Sequence, residues 1–308
     1  MTKNKPYNSL NEYLLNKYHN KVAKISLNGD FTCPNKDGKK GYGGCTFCSK
    51  LGSGEFAGNK NEPINVQFNA IKKIIDKKWP NTLYIPYLQA NSNTYAPLPK
   101  LKKLYEECLD LDEKVVGLDI ATRADCLDDE IINYLGELNK KIDITVELGL
   151  QSANEKTGIL INRCQTNKEF IEAVNKLHEK NINIVCHIIN GLPNETEADM
   201  LNTIDFINSL PINGIKFHTL LILKDTKMEL NYKENQFHIL TLEEYVNITV
   251  KQICRLRDDI IIHRLCSDGK LSDLIEPKWT IKKLVVMNEI DKYLRKNSLY
   301  QGINYKAN

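Results

Sequence analysis

Three cysteines of this 308-residue chain stand in one short stretch, Cys33-Pro34-Asn35-Lys36-Asp37-Gly38-Lys39-Lys40-Gly41-Tyr42-Gly43-Gly44-Cys45-Thr46-Phe47-Cys48. Cys45-x-x-Cys48 lets two sulfurs face one metal centre, and the glycine-rich run from Gly38 to Gly44 can fold Cys33 back beside them without Cβ clashes. Three ligands are on offer, not four. A structural zinc site wants a fourth Cys or His near by, and the nearest histidine is His19. Three thiolates instead leave one iron of a cubane cluster open. Residue type and spacing leave three readings: an iron–sulfur cluster, zinc with a distant ligand, or inert thiols. Cys108, Cys126, Cys186, Cys254 and Cys266 have no paired spacing and read as small buried side chains.

The loop must be carried by regular elements, and short apolar runs recur along the chain at βα spacing. Strands are expected at Lys24–Asn28, Leu83–Leu88, Val115–Ala121, Ile142–Leu148, Ile182–Ile189, Gly214–Leu221 and Ile260–His263. Between them Leu127, Ile131, Leu135 and Leu138 share one helical face, as do Phe170, Val174 and Leu177, and Met200, Leu201, Ile204 and Ile207. Thr166-x-x-Glu169 and Thr241-x-x-Glu244 read as capping boxes. Near-continuous apolar strands call for a parallel sheet covered on its outer face. The expected fold is α/β, a partial (β/α)6-type parallel barrel with an α-rich C-terminal extension. Residues 1–20 form an N-terminal extension, 21–230 the barrel and 231–308 the extension packed on it. In such barrels the reactive loops follow the carboxyl ends of the strands.

Composition excludes several classes. With 42% hydrophobic and 26% charged residues the chain is neither disordered nor coiled-coil, and no apolar run approaches the roughly 20 residues of a membrane span. Without a hydrophobic leader, a cytoplasmic location and nine reduced cysteines are expected. The net charge of +3 conceals a gradient: +6 over residues 1–50 and +5 over 278–308, against −8 between them. Basic ends of this kind attract a polyanion if they share a face.

The chain resembles the radical S-adenosylmethionine (SAM) enzymes, and within them the subfamily akin to the Elongator catalytic subunit. The resemblance rests on the cysteine loop with its eleven-residue Cys33–Cys45 gap, Gly52-Ser53-Gly54, Gln89-Ala90, Asn93-Thr94-Tyr95-Ala96-Pro97, Thr122-Arg123-Ala124-Asp125 and Val146-Glu147-Leu148-Gly149-Leu150-Gln151. It continues through Ile161-Asn162-Arg163, His187-Ile188-Ile189-Asn190-Gly191-Leu192-Pro193, and His263-Arg264-Leu265 before Asp268-Gly269. It implies that Cys33, Cys45 and Cys48 ligate a 4Fe-4S cluster whose open iron binds SAM, to be cleaved reductively to a 5′-deoxyadenosyl radical. Phe47 resembles the aromatic residue shielding cluster and adenine. Glu147 and Gln151 take the positions for ribose hydroxyls, Arg163 that for the methionine carboxylate, and His187 lies in the segment along the adenine. The usual Gly-Gly-Glu turn is replaced by Gln89-Ala90-Asn91, so Gln89 or Asn91 is expected to contact the methionine amino group.

The same resemblance implies a substrate and partners: transfer RNA, with the C5 substituent of wobble uridine taken from carboxymethylaminomethyl towards aminomethyl, and a reducing electron donor. Lys39, Lys40, Lys282, Lys283, Arg295 and Lys296 are the expected RNA-binding residues, since Lys and Arg on phosphates supply sequence-independent affinity. No membrane partner is expected. The alternatives are a radical SAM enzyme acting on a small metabolite or peptide, and a non-enzymatic zinc or iron–sulfur module.

Overall fold

A computed structural model describes residues 5–235 and 237–306. In chain order the elements are α1 Leu10–Tyr18, β1 Val22–Leu27, α2 Ile64–Lys78, β2 Leu83–Leu88, α3 Leu98–Leu109, β3 Gly117–Thr122, α4 Asp129–Asn139, β4 Asp143–Gln151, α5 Glu155–Leu160, α6 Asn167–Glu179 and β5 Asn183–Asn190. They continue with α7 Glu197–Asn208, β6 Gly214–Thr219, β7 Ile222–Leu223, α8 Lys227–Glu234, α9 Leu242–Arg255, β8 Ile261–Arg264, β9 Leu274–Glu276 and α10 Lys283–Lys296. Seven parallel strands form one sheet in the order β1-β2-β3-β4-β5-β6-β8. This is the expected partial barrel.

Side chains alternate across each strand, so each strand serves two environments. Ile25, Leu88, Ile120, Val146, Ile184, Phe217 and Ile262 point outward and pack with helix residues such as Phe68, Leu101, Leu135, Phe170 and Ile204 into one core. Each such side chain contributes about 1.5–3 kcal/mol on burial. The opposite face carries Lys24, Tyr87, Asp119, Glu147, His187, Lys216 and His218. The inside of the barrel is therefore polar.

Both expected capping boxes are present, at Thr166 with Glu169 and Thr241 with Glu244, and Thr196 with Asp199 makes a third. The expected boundary at residue 230 does not hold, because the seventh strand, Ile261–Arg264, lies beyond it and pairs with β6. The expected N-terminal extension is likewise part of the barrel. Ser9 bridges to Ile262, and the Tyr18 hydroxyl donates to Asp143 and to the carbonyl oxygen of Val116, so that α1 closes the end opposite the strand carboxyl ends. Residues 1–4 lie outside the described residues.

Candidate active site

At the carboxyl end of the sheet the chain after β1 folds into a braced loop. The Lys36 and Asp37 amides donate to the Cys33 carbonyl oxygen at 2.7 and 3.2 Å, and the Gly44 amide donates to that of Asn35 at 2.7 Å. Gly43 and Gly44 take φ of +75° and +78°, a left-handed turn that side chains rarely enter. The loop also leans on the segment after α5. Asn35 is buried and donates from Nδ2 to the carbonyl oxygen of Asn162 at 2.6 Å, Asn162 donates to that of Gly44 at 2.8 Å, and the Thr46 amide donates to that of Ile161 at 2.9 Å.

Cys33, Cys45 and Cys48 line the cavity inside the sheet, and among the described residues they are the only cysteines that do. Burial, with the neighbouring Cys48 adding to it, pushes the Cys45 thiol up to about 12, and the Asn35 amide lies 3.5 Å from its sulfur. Burial also raises Cys48, opposed by Lys36. Among the described residues no three His, Cys, Asp or Glu groups are set to hold a single metal ion. Three thiolates on one cavity wall are the donor set that leaves one iron of a cubane cluster open.

The other expected site residues divide. Phe47, Gln89, Asn91, Glu147, Gln151 and His187 all line the cavity. Gln151, at φ +62° beside an irregularity in the β4–β5 register, ends its strand turned into that space. Asn91 is a strut. Its amide donates to the carbonyl oxygen of Phe31 at 2.9 Å and accepts from Lys36 at 3.0 Å, and a Cβ on Gly52 would come within 2.0 Å of its Oδ1. Gln89 donates to the carbonyl oxygen of Ser53 at 2.8 Å.

Arg163 does not reach the cavity. Only 1% exposed, its guanidinium donates to the carbonyl oxygens of Gln165, Leu150 and Ser152 at 2.7–2.8 Å and to Glu155 and Asn167 at 3.1 Å. It fastens the segment that braces the cysteine loop. Arg163→Ala is therefore expected to act on stability, by about 3 kcal/mol or more, because three carbonyls lose their donor and a large side chain leaves a void. Denaturant unfolding checks this. Two other arginines, Arg123 and Arg264, do line the cavity, and Arg123 is paired in parallel with Asp125 at 2.8 Å and donates to the carbonyl oxygens of Arg163 and Cys164. Burial works against the charge of Arg123 and Asp125 outweighs it. Cys164 sits behind the loop against Gly41.

Glu147 is also engaged. Its Oε1 accepts from Lys24 at 3.1 Å and its Oε2 from Lys216 at 2.5 Å, with His187 Nε2 at 2.9 Å. Burial alone would raise its pKa, but Lys216, Lys24 and His187 hold it well below the usual carboxylate range. Its carboxylate ties the barrel interior together. Burial, with Lys216 next, holds His187 at about 4, and burial lowers Lys216 to about 8. Lys216, His218 and Arg264 were missed in the sequence, although Ile215-Lys216-Phe217-His218 alternates apolar and polar residues as a two-faced strand does.

The six basic residues do not form one surface. Lys39 and Lys40 belong to the cysteine loop, Lys40 pairing with Glu169 at 2.7 Å. Lys283 pairs with Asp268 on the cavity wall at 2.5 Å, and Lys282 is exposed beside it. Arg295 and Lys296 sit at the far end of α10, about 20 Å away along a 14-residue helix. There Arg295 pairs with Asp291, which also holds Lys5 near the closed end of the barrel. Trp279 packs on Tyr245 and donates to the carbonyl oxygen of Leu240, a structural role.

An incomplete parallel barrel with three thiols at the carboxyl ends of its strands defines a class of radical enzymes, and the sequence agrees. The pattern of the radical SAM superfamily matches residues 39–207 and that of the radical SAM C-terminal domain residues 212–296. The chain belongs to the radical SAM superfamily, whose enzymes use a 4Fe-4S cluster and SAM. It is 42% identical to the protein YtqA of Bacillus subtilis over 97% of this chain and 92% of that one. It is 25% identical to a tRNA-2-methylthio-N(6)-dimethylallyladenosine synthase of Finegoldia magna over 54% of this chain and 36% of that one. Among solved structures, the archaeal Elp3 of Methanocaldococcus infernus superposes with a TM-score of 0.70 at 17% identity, covering 92% of this chain and 64% of that one. No helix among the described residues is long and apolar enough to cross a membrane.

Proposed function

We propose that this radical SAM enzyme acts on transfer RNA, taking the carboxymethylaminomethyl group at C5 of wobble uridine towards aminomethyl. The observation that carries the radical chemistry is the placing of Cys33, Cys45 and Cys48, alone of nine cysteines, on the wall of one cavity. These three hold the cluster, and with SAM bound it supplies a carbon radical that abstracts hydrogen. Phe47 covers the cluster from water, Gln151 binds the ribose, and the charges of Arg123 and Lys36 reach the Cys45 and Cys48 thiols respectively. Gln89 and Asn91 line the same cavity and would contact the methionine amino group. A reducing partner delivers the electron.

The RNA part of the reading is supported by the resemblance in the sequence, by the relative named for a tRNA modification, and by the lysines near the cavity mouth, Lys39, Lys40, Lys282 and Lys283. Arg295 and Lys296 do not belong to that mouth. Gln151→Ala is expected to weaken SAM binding about tenfold, the worth of one to two hydrogen bonds, with the cluster retained; calorimetry on the reconstituted protein reads it. The reading itself is tested anaerobically with tRNA carrying carboxymethylaminomethyluridine and a reductant. Digestion to nucleosides and mass spectrometry should show aminomethyluridine matched by 5′-deoxyadenosine. A protein that cleaves SAM and leaves this nucleoside unchanged keeps the radical assignment and loses the RNA one.

A further inference from the structure

Two polar groups on one wall of the cavity lack a partner. Arg264, at the end of β8, lines the cavity, and among the described residues no hydrogen bond or ion pair reaches its guanidinium. Beside it His218 of β6 lines the same space, and its Nε2 is buried without a hydrogen-bond partner. The backbone is shaped to put Arg264 there. Ile215 pairs with Ile262 but Lys216 pairs with Arg264, so the register slips by one residue. The slip lets two successive side chains face the barrel interior, His263 towards the closed end and Arg264 towards the open cavity. Irregularities of this kind re-aim side chains at sites.

Charge decides what would complete the group. The acidic side chains around the cavity are already engaged: Glu147 by Lys24, Lys216 and His187, Asp268 by Lys283, and Glu55 by the Ser49 hydroxyl. Asp119, deeper in the barrel, is taken by Lys24. Arg264 is left as a cation without a counter-ion in a partly enclosed space, which is costly unless a ligand supplies the anion. A planar guanidinium matches a carboxylate through two parallel bonds, and neutral His218, in the tautomer protonated at Nε2, can add a donor.

We propose that Arg264, with His218, is the site that binds the carboxylate of the substrate's carboxymethylaminomethyl group. This rests on the tRNA reading above. Such a grip tells the substrate from its aminomethyl product, which has lost that carboxylate. A second source of the same chemistry is the methionine carboxylate of SAM, and the test separates the two.

Holoenzyme with SAM, kept oxidised so that no turnover occurs, is titrated with anticodon stem-loops bearing either carboxymethylaminomethyluridine or aminomethyluridine. Wild type should bind the first at least about tenfold more tightly, the scale of one charge-assisted contact. Arg264→Gln should erase that preference while affinity for the second stays within about twofold, and Arg264→Lys should recover part of it. A purely structural role would weaken both RNAs alike. An intact preference in Arg264→Gln overturns the proposal, as does a tenfold loss of SAM affinity with the preference unchanged. If wild type binds neither RNA, the tRNA reading fails, and N-methylglycine then probes the site by equilibrium dialysis. Binding to wild type but not to Arg264→Gln would retain a carboxylate site, and equal binding or none would overturn it.

Discussion

Alanine at any one of Cys33, Cys45 or Cys48 is expected to abolish cluster assembly, whereas Cys108→Ala, Cys164→Ala and Cys254→Ala should leave it intact. The expectation follows from position. The first three thiols share the braced loop and the cavity wall, while Cys108 and Cys254 are buried under helices and Cys164 lies behind the loop against Gly41. Three is the minimum set that leaves one iron open for SAM, so removing one leaves two irons without protein ligands. The measurement is iron and acid-labile sulfide per chain, with the visible absorption band, after anaerobic reconstitution. Loss of signal in the loop variants should be essentially complete. A full complement of iron in any one of them would show that the assignment of that ligand is wrong. Denaturant midpoints of the metal-free variants should stay near wild type, because the loop is held by backbone bonds such as Gly44 N–H to Asn35 and Thr46 N–H to Ile161, which do not involve the thiols.

The seven strands, the capping boxes at Thr166 and Thr241 and the cysteine loop were all legible, because each is a local pattern: an apolar run, a hydroxyl three residues before a carboxylate, a spacing of thiols. What was hidden depends on contacts between distant segments. Arg163 reads as a ligand-gripping arginine until the carbonyls of Leu150 and Ser152 are seen to converge on it. Arg264 reads as the outward neighbour of His263 until the register slip against β6 turns both inward. The boundary at residue 230 fails for the same reason, because only the pairing of the strand expected at Ile260–His263 with β6 shows that it belongs to the barrel. The polar barrel interior was a missed opportunity rather than a hidden fact. Lys24, Asp119, Glu147 and Lys216 each sit between apolar neighbours in strands that alternate. Such strands keep hydrophobic side chains on the helix side and leave the other face for charge.

That interior network should also carry much of the stability of the barrel, and Glu147→Gln is expected to reveal it with a loss of about 3–5 kcal/mol, the range for breaking a buried ion pair by removing one partner. Glu147 joins three strands: it accepts from Lys24 on β1, from Lys216 on β6, and meets His187 on β5. Without its charge Lys24 keeps Asp119, but Lys216 is left with the Tyr87 hydroxyl at 3.3 Å and the Tyr87 ring face, its ammonium 4.4 Å from the centroid. Lys216 already sits at about 8 through burial, so losing its carboxylate should drive it neutral near pH 7, and that proton release limits the loss. The sign with pH follows from the carboxyl group itself. Its folded pKa lies well below the ordinary 4.5, so its stabilisation is complete above about pH 5 and fades as the pH falls towards the folded value. Below pH 5 wild type should therefore lose the Glu147 contribution that Glu147→Gln lacks, so the gap between the two narrows in acid, on top of the loss both share below about pH 6.5 because the fold holds His187 neutral. Urea unfolding from pH 4 to pH 8 reads both features. If the two proteins ran parallel at every pH, Glu147 would not be the ionised centre of the network. The pairing is tested by Lys216→Met in the Glu147→Gln background. With both charges of that pair gone and an apolar chain of similar length in place, the double variant should regain part of the stability lost by the single one.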